Sequence, residues 1–210
     1  MDLHLWLAFV AASTVLVIIP GPTVLLVLSY ALSKGRRVAL ATAAGVAVGD
    51  FVAMTASVAG LGALVLASAT LFTVLKWIGA AYLVWLGVRL FRSAKNAESV
   101  VLPGQETGGA GRDVFWHAAA VTALNPKSIA FFIAFVPQFV RPEAPLVPQF
   151  AVLIATFVAL GAGNALAYAL LADRLRARIT RPRVITGLTR TGGGTLVAMG
   201  LATAAMQRTA

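Results

Sequence analysis

The chain has 210 residues, 60% of them hydrophobic and only 11% charged, with a mean hydropathy of +0.89. That charge content is less than half the roughly 25% usual in soluble domains, so a soluble globular protein is excluded and an all-α membrane protein is expected. Cys is absent, which excludes disulfides, thiolate metal sites and thiol redox chemistry.

A hydrocarbon core of about 30 Å needs about 20 apolar residues of helix. Six segments meet that need in turn: Leu3 to Leu32, Val38 to Leu66, Thr70 to Phe91, Val114 to Val140, Pro148 to Ala172, and Gly187 to Met206. Ahead of the first, MDLHLWLAF carries Asp2 and no Lys or Arg, so it lacks the positive n-region of a cleavable signal peptide and the first helix is expected to be retained. Within it, VLVIIPGPTVLLV places Pro20, Gly21 and Pro22 in the middle of an apolar run. An interior Pro costs a helix about 3 kcal/mol through its missing N–H and its clash with the preceding turn. These prolines would free the carbonyls of Leu16 and Ile18.

The second segment carries GVAVGDF, residues 45–51. Gly45 and Gly49 have the small-xxx-small spacing that lets helices approach closely, and it permits a homodimer. Asp50 lies near mid-helix, where a carboxylate costs about 2.5–3.5 kcal/mol on insertion scales and must face the protein interior. Ala43, Ala47, Asp50 and Ser57 share one side by helical spacing. Asp50 either serves function or is a structural partner for Lys76 or Lys127. Lys76, near the start of the third segment, is suited to snorkelling to the interface.

Residues 92–113, RSAKNAESVVLPGQETGGAGRD, are rich in Gly and charge and read as a flexible linker. They separate a first three-helix half, residues 1–91, from a second, residues 114–210. The fourth segment repeats the interruption of the first: TALNPKSIAFF places Asn125, Pro126 and Lys127 about 12 residues into it. Pro126 would free the carbonyl of Thr122. In an unbroken helix Asn125 and Lys127 point about 200° apart, so both reach one cavity only if Pro126 re-aims the chain. In the fifth segment Gly161, Asn164 and Tyr168 share a face, and Asn164 is the polar counterpart of Asp50 in repeat order. It serves as an interhelical hydrogen bond or a ligand contact. His4 and His117 are far apart near helix ends, which argues against a metal site. Trp6, Trp77, Trp85 and Trp116 lie toward segment ends, as aromatic belts require.

The charge of +10 would fit nucleic acid, but its distribution fits a membrane. Lys34, Arg36 and Arg37, then Arg89, Arg92, Lys95 and Arg112, then Arg174, Arg176, Arg178, Arg181, Arg183 and Arg190 make 13 of the 17 basic residues, and they fall on alternate loops. Only Arg141 and Arg208 fall on the other side. The positive-inside bias puts the first set in the cytoplasm and both termini outside, and DRLRARITRPR reads as an orientation anchor that meets anionic lipid. Nucleic acid is not an expected partner.

Three helices per half invert the second half relative to the first, and matching breaks in corresponding helices are the mark of an inverted-repeat transporter. Backbone left unpaired in lipid costs several kcal/mol per group, so such breaks persist where protein, water or a ligand satisfies them. Freed carbonyls suit an ammonium group. The half-helix starts after Pro22 and Pro126 suit a carboxylate. The expected site comprises Pro20, Gly21, Pro22, Asp50, Asn125, Pro126, Lys127 and Asn164, with no catalytic residue, metal or cofactor. One deep acid countered by Lys127 favours a small zwitterion over lysine.

The stretches IIPGPTVLLVLSYALSKGRRVALATAAGVAVGD, LKWIGAAYLVWLGVRLFRS and ALNPKSIAFFIAFVPQFV, in that order, resemble the LysE/RhtB amino-acid exporters over essentially the whole chain. The region after Asn164 and the sixth segment match less distinctly. The resemblance implies a bacterial inner-membrane exporter of amino acids or related metabolites, driven by proton antiport, and leaves the substrate open. Export of a metal or organic cation, and a passive channel or scaffold, are the competing readings; a divalent ion would want more than one carboxylate. An intramembrane hydrolase would need a nucleophile with a base or paired acids at midplane, which one deep Asp does not supply.

Overall fold

The computed structural model describes residues 1–19, 21–67, 69–93, 111–141, 144–179 and scattered positions between 186 and 201. Pro20, most of the 92–113 linker and most of the sixth predicted segment lie outside them, as do the side chains of Lys76, Arg174, Arg176 and Arg178. The described elements are helical: α1 (Leu3–Ile18), α2 (Pro22–Lys34), a 3₁₀ turn (Gly35–Val38), α3 (Ala39–Ala67), α4 (Ala69–Ser93), α5 (Gly111–Ala123), α6 (Pro126–Phe135), a second 3₁₀ turn (Val136–Phe139) and α7 (Leu146–Ile179).

Ala39–Gly60 of α3 and Leu146–Ala172 of α7 are each long and apolar enough to cross a membrane unaided. The pairs α1–α2 and α5–α6 qualify as bent spans, kinked by 54° and 44°. The kinks fall at the predicted interruptions. Ile19 and Asn125 are each followed by Pro and adopt extended backbone, φ −63° and ψ 123° for one and φ −69° and ψ 110° for the other, since a Pro ring disfavours the α region in the residue before it. Pro22 and Pro126 occupy the first position of a new helix, where no N–H is needed. At the far end of α2, Gly35 takes φ +69° and turns the chain toward α3.

α4 is one 25-residue helix, Ala69–Ser93, close to the expected segment, while one boundary differs from expectation. α7 runs on to Ile179, so Arg174, Arg176 and Arg178 extend a helix instead of starting a loop. Arg is a good helix former, and 34 residues at 1.5 Å each reach about 51 Å, well beyond a 30 Å core.

α3 packs most closely against α5 and α7. An added Cβ at Gly49 would lie 2.6 Å from the Ala119 carbonyl and 2.6 Å from Thr122 Cβ, and one at Gly45 would strike the Phe115 carbonyl. The pair expected to permit a dimer is therefore engaged within the chain, seating α3 on the backbone of α5. Gly87 of α4 meets Gly193 in the same manner, 2.6 Å from its carbonyl for an added Cβ, so the sixth segment contacts α4.

The core has two parts. Toward the N-terminus of α1, Phe9, Phe131, Phe132, Phe135, Phe139 and Phe157 form an aromatic cluster, with Phe132 and Phe157 edge to face at 4.7 Å. Toward the C-terminus of α2, smaller residues such as Val27, Ala43, Val46, Ala118, Ala165 and Ala169 fill the interior. The site lies between the two.

Candidate functional site

The broken helices meet in the middle of the bundle. A cavity of about 30 Å³ is lined by Gly21, Thr23, Val24 and Val27 of the first break and its half-helix, by Leu16 and Val17 of α1, by Val46 and Asp50 of α3, by Asn125, Lys127 and Ser128 of the second break, and by Phe157, Gly161, Asn164 and Ala165 of α7. At about 10–15 Å³ per water centre, it has room for two or three waters.

Asp50 is buried, 4% exposed. Its carboxylate sits against Gly161, where a Cβ would collide with Oδ2. The absent side chain on α7 is what makes room for a carboxylate on α3. Lys127 lines the same cavity, close enough for the two charges to interact. Of the two lysines proposed to face Asp50, Lys127 does so; the Lys76 side chain is outside the described residues.

The end of α1 has four carbonyls with no continuing helix to receive them, as every helix end has. All four are met by side chains from the second half of the chain. Lys127 Nζ donates to the Leu16 and Ile19 carbonyls, each at 2.9 Å. Asn164 Nδ2 donates to the Val17 carbonyl at 2.9 Å and Tyr168 Oη to the Ile18 carbonyl at 3.0 Å. The carbonyls of Leu16 and Ile18, expected to be free for a ligand, are thus occupied by Lys127 and Tyr168. A cation at the negative end of a helix dipole is favourable, and here the protein provides it.

The second break is closed differently. The Thr122 carbonyl, expected to be free, accepts the Asn125 N–H at 3.1 Å in a tight turn. Asn125 is the N-cap of α6: its Oδ1 accepts from the Lys127 N–H at 3.1 Å, and its Nδ2 donates to Thr23 Oγ1 at 3.1 Å. Thr122 also donates to Thr23, at 3.4 Å. The extended backbone at Asn125 is what lets it and Lys127 reach one cavity, the condition the sequence required. Pro126 itself is exposed on the α4 side, against Tyr82 and Ile78.

Thr23 and Ser128 escaped the sequence reading. Each is a small hydroxyl residue in the first turn after a helix break, and that position is the signal that would have found them. Gly161 and Tyr168 were recognised as sharing a face with Asn164, but their roles needed coordinates: one makes space for a carboxylate, the other caps a carbonyl. Pro20 lies outside the described residues.

A membrane protein that is helical across its described elements, with broken helices converging on a small cavity lined by an acid and an ammonium, has the architecture of a transporter. The sequence matches the LysE type translocator over residues 14–207, and the chain belongs to that family. It is 34% identical over 201 residues to an uncharacterized membrane protein of Vibrio cholerae, covering 96% of this chain and 97% of that one. It is also 34% identical over 200 residues to homoserine/homoserine lactone efflux proteins of Salmonella typhimurium and of Salmonella typhi, covering 95% of this chain and 96% of each. No solved structure matches.

Proposed function

We propose that the chain is a secondary exporter of small zwitterionic amino acids such as homoserine or threonine, or of related metabolites, that exchanges them for protons across the bacterial inner membrane. The observation that carries the reading is the convergence of both helix breaks, Asp50 and Lys127 on one cavity. Homoserine is the solute named for two relatives of this chain, and a small zwitterion complements a site with one acid and one cation. A lysine side chain would bring a further charge with no second carboxylate among the described lining residues. For the same reason a dehydrated divalent ion is poorly served.

The architecture we infer is an inverted repeat of three plus three helices. Its support is the pattern of packing: α3, the second helix of one half, lies against the broken α5–α6, while α7, its counterpart, lies against the broken α1–α2. Rocking of such halves alternates access to a midplane site. The basic asymmetry along the sequence orients it with both termini in the periplasm and the 92–113 linker in the cytoplasm. The aromatic cluster then closes the periplasmic side of the cavity. Membrane lipid would meet the basic end of α7.

Energy is sufficient. One proton entering down about 150 mV supplies about 3.5 kcal/mol, and at about 1.4 kcal/mol per decade that sustains a gradient of a few hundredfold when the rest of the cycle is electroneutral. Asp50 is the proton's carrier in this scheme. The test is Asp50→Asn in proteoliposomes: export driven by an imposed pH gradient stops, while exchange of homoserine for homoserine persists. Folded Asp50→Asn protein with unchanged pH-driven export would refute the assignment. Loss of folded protein would instead identify Asp50 as a structural partner of Lys127, because removing one member of a buried pair leaves the other uncompensated.

A further inference from the structure

Lys127 presents a difficulty for substrate binding. Its ammonium fills the place at the end of α1 where a substrate's ammonium would go, and a cavity with room for two or three waters cannot admit an amino acid. Something lining the cavity must move for loading. Asn164 and Tyr168 are held on α7 and each reaches a single carbonyl. Asn125 is tied to Thr23 and to its own half-helix. Lys127 has a flexible four-carbon stem, and beside it stands Gly21, where an added Cβ would lie 3.3 Å from Nζ and 3.5 Å from Cε. The glycine leaves its neighbour room to swing.

We propose that Lys127 is a tethered stand-in for the substrate ammonium: it caps the Leu16 and Ile19 carbonyls in the empty carrier, yields them to the substrate's α-ammonium on loading, and takes the α-carboxylate itself. The proposal rests on the amino-acid exporter reading. Charge and hydrogen bonding balance across the exchange. The incoming ammonium supplies the same charge and the same kind of donors to the two carbonyls, so the helix end stays capped. The displaced Lys127 would be a costly unpaired cation in a largely enclosed site, and the carboxylate arriving with that ammonium removes the cost. An amine without a carboxylate would strand Lys127, and an acid without an amine would strip the carbonyls. A zwitterion meets both needs, so the rule for entry lies in the swap as well as in cavity shape. Asp50 keeps a cation beside it throughout.

The test uses the full chain in lipid nanodiscs and proteoliposomes. The chain has four lysines, Lys34, Lys76, Lys95 and Lys127, so ¹⁵Nζ-lysine labelling yields a spectrum simple enough to assign. In wild-type protein, L-homoserine should shift the Lys127 signal, while propylammonium and butyrate should not. In Lys127→Met the vacated carbonyls should accept propylammonium, which then raises the unfolding temperature of the variant with concentration as any native-state ligand does and leaves wild type unmoved. Homoserine exchange by the variant should fall about tenfold or more, equivalent to about 1.4 kcal/mol or more. If Lys127→Met does not fold, the wild-type spectrum decides. An unmoved Lys127 signal at homoserine concentrations that saturate exchange overturns the swap and leaves the exporter reading intact. Absence of exchange for every amino acid tried in wild-type vesicles overturns the exporter reading and the swap with it.

Discussion

The contact between α3 and α5 sets the position of Asp50, and it can be tested with a single methyl group. Gly49→Ala places a Cβ 2.6 Å from the Ala119 carbonyl and from Thr122 Cβ, and 3.0 Å from the Ala123 nitrogen, whereas ordinary contact begins at 3.4 Å. Backbone atoms cannot rotate aside, so α3 must retreat from α5 by about 0.8 Å, the distance between 2.6 and 3.4 Å. Overpacking of this kind costs about 1–3 kcal/mol. Replacing a helical Gly by Ala also returns about 0.5–1 kcal/mol of backbone entropy, and a second variant removes that contribution from the comparison. Gly60→Ala, on the same helix, meets nothing within 4 Å and carries the entropy gain alone. Thermal unfolding of the two variants in the same detergent, followed by tryptophan fluorescence, should place Gly49→Ala below Gly60→Ala by the full overpacking cost. At about 2–4 °C per kcal/mol for a chain of this size, the difference is roughly 2–12 °C. Equal midpoints would refute the close approach and, with it, the intramolecular use of the Gly45 and Gly49 pair.

Further outcomes follow from other contacts. Gly161→Ala adds a methyl where Asp50 Oδ2 lies; transport should fall more than tenfold while folded protein is still recovered, and normal export kinetics would show that the carboxylate is not fixed there. Asn164→Ala strips the Val17 carbonyl of its donor and should cost about 1–3 kcal/mol as an unsatisfied buried acceptor, measurable as a lowered unfolding midpoint; no change would mean that water replaces the amide. A periplasm-active reporter fused after Arg208 should be active and one inserted near Gly109 silent, and the reverse would overturn the orientation. Overexpression should confer resistance to toxic homoserine or threonine before it confers any to lysine analogues; the opposite order would sink the zwitterion preference.

Features visible in the sequence were those fixed by local chemistry. Pro20-Gly21-Pro22 and Asn125-Pro126 announce breaks because a Pro ring acts on its own chain whatever lies around it, and the bends fall there. Asp50 announces a buried site because no other position in a lipid-spanning helix tolerates it. Partners were less legible. Gly45 and Gly49 promise a close neighbour but do not name one, and α5 of the same chain proved to be that neighbour. The carbonyls released by the first break were foreseen as vacant, yet Lys127, Asn164 and Tyr168 reach them from more than 100 residues away. Sequence spacing says nothing about such distances. Lys127 illustrates the limit most clearly, since its direction depends on the extended backbone at Asn125.

The capping of α1 also bears on how binding and motion are linked. Its last four carbonyls draw every one of their described side-chain donors from α6 and α7, so the second half cannot move relative to α1 without breaking or exchanging those bonds. Each carbonyl left without a donor costs about 1–3 kcal/mol, which opposes spontaneous parting of α1 from α6 and α7. A ligand lowers that barrier only by offering donors at the same place. An amino-acid ammonium offers them, and a proton delivered to Asp50 does not. In the proposed scheme, binding of substrate and protonation of Asp50 would therefore act on different parts of one latch, the first on the α1 carbonyls and the second on the charge that faces Lys127, and a carrier built this way would resist slipping when only one of the two is present.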